Sequence, residues 1–168
     1  RDVSPGNIMF DGAGHPVLTD FGIARALSRT SRLTNSGNSV GTSHYMSPEQ
    51  ARGGEVDARS DLYSLACVIF EALSGHPPYQ GEDGFAIAYA HVFEAIPQLP
   101  DKYKHWQPMI ERALAKDPRD RYKDCDEFQL ALAEIANKVI GATNGNTMQT
   151  VAPPPVILPS SNPAAALQ

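Results

Sequence analysis

Three polar residues near the start of the chain, Asp2, Asn7 and Asp20, have the types and the spacing that suit metal-assisted phosphate chemistry. Between Asn7 and Asp20 lie two short apolar runs separated by Asp11–Gly14, whose composition is typical of a tight turn. A hairpin at this turn returns Asp20 to the neighbourhood of Asn7, because side chains that are opposite or diagonal on paired strands lie roughly 5 to 8 Å apart. A carboxylate and an amide oxygen so placed can share one Mg²⁺ with phosphate oxygens.

The third residue, Asp2, precedes the hairpin in an irregular segment, so its carboxylate can face the same space from another side. A carboxylate there suits a proton acceptor for a hydroxyl nucleophile. Each residue also has a plainer explanation, since an Asp beside a turn is usually a local cap and an Asn at a strand edge is usually structural. The three together favour phosphoryl transfer.

Motifs along the chain strengthen this interpretation. The run RDVSPGN at 1–7, with DFG beginning thirteen residues after Asn7, resembles the catalytic loop and metal-binding motif of eukaryotic-type (Hanks-type) protein kinases. Later motifs follow in the order of that family, and SPE stands where the family usually has APE. They are GT at 41–42 with YMSPE at 45–49, DARSDLYSL at 57–65 and KDPRDRY at 116–122. The sequence of these motifs is most similar to that of bacterial Ser/Thr kinases of the PknB kind, and the resemblance covers roughly residues 1 to 140.

The resemblance implies a set of catalytic roles and two cofactors, ATP and Mg²⁺. Asp2 would accept the proton of the substrate hydroxyl, and Asn7 and Asp20 would hold the magnesium ions that bridge the phosphates. Ser4 stands where the family typically has a lysine that contacts the transferred phosphate. Thr42 would help to hold the catalytic acid, which favours Ser/Thr over Tyr specificity.

Residues 23–46 contain eight Ser and Thr residues and no acidic residue. By their placement, Thr34 and Ser36 resemble the phosphorylation sites of the family's activation loop. A phosphate adds about −1.5 to −2 charge and could order the segment by pairing with arginines, including Arg1. The plainer alternative is a flexible loop.

The resemblance also assigns structural roles to three charged residues. Glu49 and Arg121 would form a pair, although an isolated Glu or Arg is usually solvated. Asp61 would bond the backbone near Arg1 and Asp2, whereas an acid in a helix's first turn often only favours the helix dipole.

The predicted fold is mainly α with a small β-hairpin, a protein-kinase-like C-terminal lobe without the N-terminal lobe. The lobe spans 1–141, and 142–168 is predicted to be a disordered linker rich in Pro, Ala, Ser and Asn, because it carries no charged residue. A helix over 62–73 is apolar nearly all round and should be buried, with Asp57 or Ser60 as its cap and Gly75 at its end.

Three further helices are predicted, over about 84–95, from Pro108 to before Pro118, and from about Asp124. The first is expected to bury the stripe Phe85, Ala88, Val92 and Ile96.

Composition narrows the partners and the location. A net charge of −5 and no basic patch speak against nucleic acid, and two unpaired cysteines fit a reducing compartment. No apolar stretch is long enough to span a membrane, so we expect a cytoplasmic region, anchored, if at all, through a segment beyond Gln168. Protein substrates with Ser or Thr and ATP are the expected partners, and the full-length protein could form a dimer.

The leading functional hypothesis is therefore a partial Ser/Thr protein kinase domain that transfers the γ-phosphoryl group of ATP to protein hydroxyls. Because no glycine-rich loop or strand lysine precedes Arg1, we expect the chain alone to bind ATP weakly. The alternatives are a non-catalytic kinase-like binding module and a small-molecule phosphotransferase. The hydroxyl-rich segment ending in SPE favours a protein substrate over a small-molecule substrate.

Overall fold

A computed structural model describes residues 3–19 and 43–143 of the chain. These residues form one small hairpin and a set of helices, joined by short 3₁₀ turns. The strands are β1 (Ile8–Phe10) and β2 (Pro16–Leu18). The helices are α1 (Pro48–Ala51), α2 (Ala58–Ser74), α3 (Gly84–Phe93), α4 (Gln107–Ala113) and α5 (Cys125–Thr143). The 3₁₀ turns are Pro5–Asn7, Asp101–Trp106 and Pro118–Asp120. The predicted class, mainly α with a small β-hairpin, is confirmed.

The hairpin reverses where its composition predicts. Strands β1 and β2 pair antiparallel, with Ile8 opposite Leu18. The Asp11 carboxylate accepts hydrogen bonds from the amides of Ala13, at 2.8 Å, and His15, at 2.9 Å. Gly14 has a φ of +83°, which only glycine adopts without strain. The turn is therefore held by its own local chemistry.

Helix α2 is the centre of the helical core. Its N-cap is Asp57, whose carboxylate accepts from the Arg59 amide at 2.8 Å, and Gly75 ends it at a φ of +88°. Ser60, the other predicted cap, is fully buried and has a different role. The apolar side chains of α2 that are completely buried are Tyr63, Ala66, Cys67 and Phe70.

Helices α4 and α5 cover α2 and complete the core. Ile110 and Leu114 are fully buried, and Phe128 and Ile135 on α5 belong to the same apolar cluster. Asp124 caps α5 by accepting from the Glu127 amide at 3.0 Å. The buried residues of each helix recur at the spacing of one helical face.

The predicted buried face of α3 is wrong in part. Phe85 is 68% exposed, and the helix ends at Phe93, before Ile96. The helix instead buries Ile87, Ala90, His91 and Val92. Its sequence, GFAIAYAHVF, is apolar on every side, so periodicity cannot select the face that packs.

The end of the described chain lies in α5, which includes residues 142 and 143, the first two of the predicted linker. Residues 144–168 lie outside the described part, so the linker stays a prediction. Both cysteines are free, Cys67 buried and Cys125 exposed. None of the helices in the described residues is long and apolar enough to cross a membrane.

Candidate active site and its anchoring residues

The base of the hairpin brings Ser4, Asn7 and Thr19 together. The Thr19 amide donates to the Asn7 carbonyl at 2.7 Å, and the Thr19 hydroxyl reaches the same oxygen at 3.2 Å. The Asn7 amide donates to the Ser4 carbonyl at 3.0 Å, across the Pro5–Asn7 turn. Ser4, Asn7 and Thr19 are all half-buried. The hairpin therefore closes with the residue before Asp20 bonded to Asn7.

Several predicted site residues lie outside the described part of the chain, and their roles stay predictions. They are Arg1, Asp2, Asp20, Thr34, Ser36 and Thr42. Asn7 is thus the one member of the predicted magnesium pair that the structure describes. Among residues 3–19 and 43–143, no group of three or more His, Cys, Asp or Glu side chains could hold a metal ion.

Asp61 lies in the first turn of α2, at a cavity of about 330 Å³ between this helix and the hairpin. The cavity is also lined by Val3, which follows Asp2 directly, and by Ile8 of β1. The predicted bond from Asp61 to the backbone at 1–2 is not tested by these residues. The role of Asp61 toward residues 1–2 therefore stays a prediction.

Glu49 and Arg121, 72 residues apart in the chain, form a buried two-point ion pair. Both guanidinium Nη atoms donate to the two carboxylate oxygens of Glu49 at 2.8 Å. The Arg121 side chain is fully buried, and Ser60 also donates to Glu49. Burial alone would raise the pKa of Glu49, but the hydrogen bonds from Arg121 and Ser60 outweigh burial and hold this pKa below its usual value.

Tyr45 is held by two residues that sequence reasoning did not single out. Its hydroxyl donates to Glu71 at 2.6 Å, and its carbonyl accepts from the Ser64 hydroxyl at 2.6 Å. Both partners lie on α2. A signal was available, because Ser64 and Glu71 are the main polar interruptions of an otherwise apolar helix.

The segment from Ser43 to Ala51 is consequently fixed to α2 and to Arg121 at several points. Ser47 adds a capping box to α1: it accepts from the Gln50 amide, and the Gln50 side chain accepts from the Ser47 amide. We call residues 43–51 the anchored segment.

The sequence matches the model of the protein kinase domain over residues 1–132. The matched range includes the hairpin, the anchored segment and helices α1 to α4. It also includes Glu49 and Arg121, whose side chains meet in the structure.

Curated relatives give the same result. The chain is 46% identical over 145 residues to the probable serine/threonine-protein kinase PknB of Bifidobacterium longum, which covers 82% of this chain and 21% of that protein. It is 40% identical over 170 residues to a probable serine/threonine-protein kinase of Corynebacterium efficiens, which covers 95% of this chain and 26% of the relative.

A third relative is the serine/threonine-protein kinase PknB of Mycobacterium tuberculosis. The two are 41% identical over 144 residues, in an alignment that covers 82% of this chain and 23% of that protein. The chain thus spans about a quarter of the length of these relatives.

Proposed function

This chain belongs to the protein kinase family, as a PknB-like, bacterial Hanks-type serine/threonine kinase, and from that membership we propose its reaction. It would act within a longer protein to transfer the γ-phosphoryl group of ATP to Ser or Thr hydroxyls of protein substrates. Catalysis of this kind depends mainly on positioning and on electrostatic stabilisation of the transferring group.

One observation carries the proposal: the hairpin closes on Asn7. The hydrogen bonds from Thr19 to the Asn7 carbonyl require the chain to return beside Asn7 just before Asp20. An amide oxygen and a carboxylate are hard ligands of the kind that Mg²⁺ accepts. This placement supports Asn7 and Asp20 as the residues that would hold magnesium, which would neutralise charge on the phosphates.

The remaining roles follow from position in the sequence. Asp2 would accept the proton from the substrate hydroxyl, with Thr42 holding that acid. Ser4 lies one 3₁₀ turn from Asn7 and would donate a hydrogen bond to the transferred phosphate, without the positive charge of a lysine. Asp61 would hold the backbone around Asp2.

Regulation would come from the segment before Ser43. Phosphorylation of Thr34 or Ser36 would add charge that can pair with Arg1 and with other arginines. Because the segment from Ser43 onward is already anchored, ordering the preceding residues would complete a surface for a protein substrate.

The decisive variant is Asp20→Asn in the full-length protein that contains this chain. If Asp20 holds magnesium, Mg²⁺-dependent phosphorylation of a generic Ser/Thr-containing protein should fall on the order of 10²-fold or more. Helix content, measured by circular dichroism, should not change, because the substitution preserves side-chain volume.

The matched control is Asp101→Asn, at a carboxylate whose side chain is 95% exposed. It should keep full activity. Unaltered turnover in Asp20→Asn would remove the metal role, and no transfer at all by the unsubstituted protein would favour a non-catalytic kinase-like module.

Two further points belong to this proposal. We place this region in the cytoplasm, where ATP is available, and we expect the longer protein to be able to dimerise. Cell fractionation and the molar mass of the purified full-length protein measure these two properties directly.

A further inference from the structure

Helix α3 ends differently from α2. Helix α2 stops at Gly75, whose left-handed conformation lets its amide bond back to Glu71. The residue that follows α3, Glu94, is extended instead, at φ −77° and ψ 151°. The last carbonyls of a helix have no partner within the helix and carry a partial negative charge. A cationic donor from another part of the chain can therefore stabilise the end of α3.

Lys116, which follows α4, is that donor. Its Nζ donates to the carbonyl of His91 at 2.7 Å and to the carbonyl of Ala90 at 3.3 Å. It also donates to the hydroxyl of Tyr79, a buried residue, at 2.8 Å. An ammonium group has three N–H donors, so these three acceptors match its capacity. Burial lowers the pKa of Lys116 only to about 8, so the group is mainly protonated at pH 7 and its bonds are charge-assisted.

The backbone of Lys116 is fixed by a different partner. Its carbonyl accepts from Nη2 of Arg121 at 3.2 Å, and the carbonyl of Ala115 accepts from Nε of the same side chain at 2.7 Å. This guanidinium is the one that pairs with Glu49 in α1. Lys116 thus bonds to α3 through its side chain and to the Glu49–Arg121 pair through its backbone.

Helices α1 and α3 also pack directly against each other. Glu49 of α1 and Ile87 of α3 are both buried. Because α1 is the last part of the anchored segment, α3 is a surface on which this segment rests. A shift of α3 would therefore change the support of the anchored segment.

We propose that Lys116 is a positioning residue that ties α3 to the Glu49–Arg121 pair and thereby keeps the anchored segment in place. With this lysine, α3, Arg121 and α1 form a closed ring of contacts. Without it, the end of α3 is free to shift, and α1 loses a fixed support. The inference rests on the proposed kinase function, in which the anchored segment faces the protein substrate. Lys116 should therefore affect binding of the substrate and not binding of ATP.

The first test is Lys116→Met in the full-length protein, followed by amide hydrogen exchange. Methionine keeps an unbranched side chain and removes the donors. Loss of charge-assisted hydrogen bonds from the helix end should raise exchange of the amides at 91–94 about tenfold. The amides of Ala51 and Arg52, which bond within α1, should exchange about threefold faster. Exchange in α5 should stay within about twofold.

The matched control is Lys104→Met, at a side chain that is 71% exposed and pairs with Asp101 on the surface. It should leave exchange in α1 and α3 unchanged. For Lys116→Met, a rise at 91–94 without any rise in α1 would show that the two helices are not coupled and would overturn the proposal. An equal rise in α1, α3 and α5 would mean general destabilisation and would overturn it as well, as would no rise at all.

A milder variant, Tyr79→Phe, removes one of the three acceptors of Lys116. It keeps the ring that packs edge-on against His91. Exchange at 91–94 should rise in the same direction as for Lys116→Met but by less, about threefold. A larger rise than that of Lys116→Met would assign the end of α3 to the tyrosine and contradict the role of the lysine.

The second measurement separates binding from turnover in the full-length protein. Lys116→Met should raise KM for a Ser-containing peptide about fivefold, with kcat and KM for ATP within about twofold. Lys104→Met should change none of the three. A fall in kcat with an unchanged peptide KM would rule out a role in positioning the substrate.

The two proposals fail in different ways. Absence of phosphorylation by the unsubstituted full-length protein would contradict the proposed function. The exchange comparison needs no activity, and in that event it alone decides whether Lys116 ties α3 to the anchored segment.

Discussion

The hairpin at residues 3–19 and the anchored segment at residues 43–51 are positioned by opposite means. The hairpin depends on backbone pairing and on Asp11, and its strand side chains are largely open to solvent, with Phe10 70% and Met9 58% exposed. The anchored segment is held by side chains from distant parts of the chain, among them Arg121 and Glu71. Asn7, the proposed metal ligand that the structure describes, thus lies on locally encoded structure, and the proposed substrate-facing segment depends on the whole core.

This difference predicts whether a substitution lowers the stability of the whole fold or only that of its own region. A change in the anchored segment should weaken global stability, because its partners belong to the buried core. A change in the hairpin should act locally and cost less, since few buried apolar contacts hold it.

The largest effect is expected for Arg121→Met. It leaves the Glu49 carboxylate buried without its partner and should lower the free energy of unfolding by about 3 to 5 kcal/mol. Urea denaturation measures this loss. Arg119→Met is the matched control, because the Arg119–Asp117 pair is exposed and should contribute less than about 1 kcal/mol. Equal losses for the two variants would contradict the special role of the buried pair.

The second effect is a pH dependence that comes from His91. Its pKa is about 4 in the fold and about 6.5 in the unfolded chain, so protons favour unfolding, and stability falls as the pH falls through this window. The loss between pH 7 and pH 5 should be about 2 kcal/mol.

His91→Gln should flatten this slope in urea titrations at the two pH values. Lys116 lowers the pKa of His91 more than any other charged group does, and it stays protonated between pH 7 and pH 5, because burial lowers its own pKa only to about 8. The pKa of Glu49 lies below its usual value, so its contribution is lost only at still lower pH. An undiminished slope in the variant would assign the effect to other groups.

A smaller loss is expected for Tyr45→Phe. Its hydroxyl donates to the Glu71 carboxylate, and a hydrogen bond to a charged group contributes about 1.5 kcal/mol or slightly more. Thermal unfolding should detect the change. Tyr89→Phe, at a ring that is 61% exposed, is the comparison and should be neutral. A neutral result for both would show that the Tyr45 hydroxyl adds nothing to what packing and the Ser64 hydrogen bond already contribute.

The smallest effect belongs to the hairpin. Gly14→Ala places a Cβ at a φ of +83° and should cost about 1 kcal/mol, seen as faster amide exchange at Thr19. Gly12→Ala has open space and no such φ, so it should leave exchange unchanged. If Gly14→Ala instead lowered global stability as much as Arg121→Met, the contrast between the two regions would be wrong.

The sequence predicts local features of this lobe better than its packing. The Asp11–Gly14 reversal and the cap and end of α2 depend on residues near one another in the chain, and the structure confirms them. The pairing of Glu49 with Arg121 was available only through family resemblance, since nothing in their spacing relates residues so far apart.

Two features escaped prediction for a physical reason. Helix α3 is apolar on every side, so its packed face is chosen by neighbours such as Lys116 rather than by its own pattern. The partners of Tyr45, Ser64 and Glu71, lie 19 and 26 residues further along the chain. The one sequence feature that indicates them is that they are polar residues within the apolar helix α2.

Arg121 also constrains the order in which this chain can fold. Besides Glu49, its guanidinium donates to the backbone carbonyls of Arg59, Ala115 and Lys116. Together with Glu49, these acceptors come from three separate stretches, so the guanidinium can leave water without a large desolvation cost only after all of them have converged. Burial of the Arg121 side chain should therefore come late in folding and in a single step. A partly folded chain that has not reached this step would expose the Arg121 guanidinium to solvent, whereas the native protein buries it.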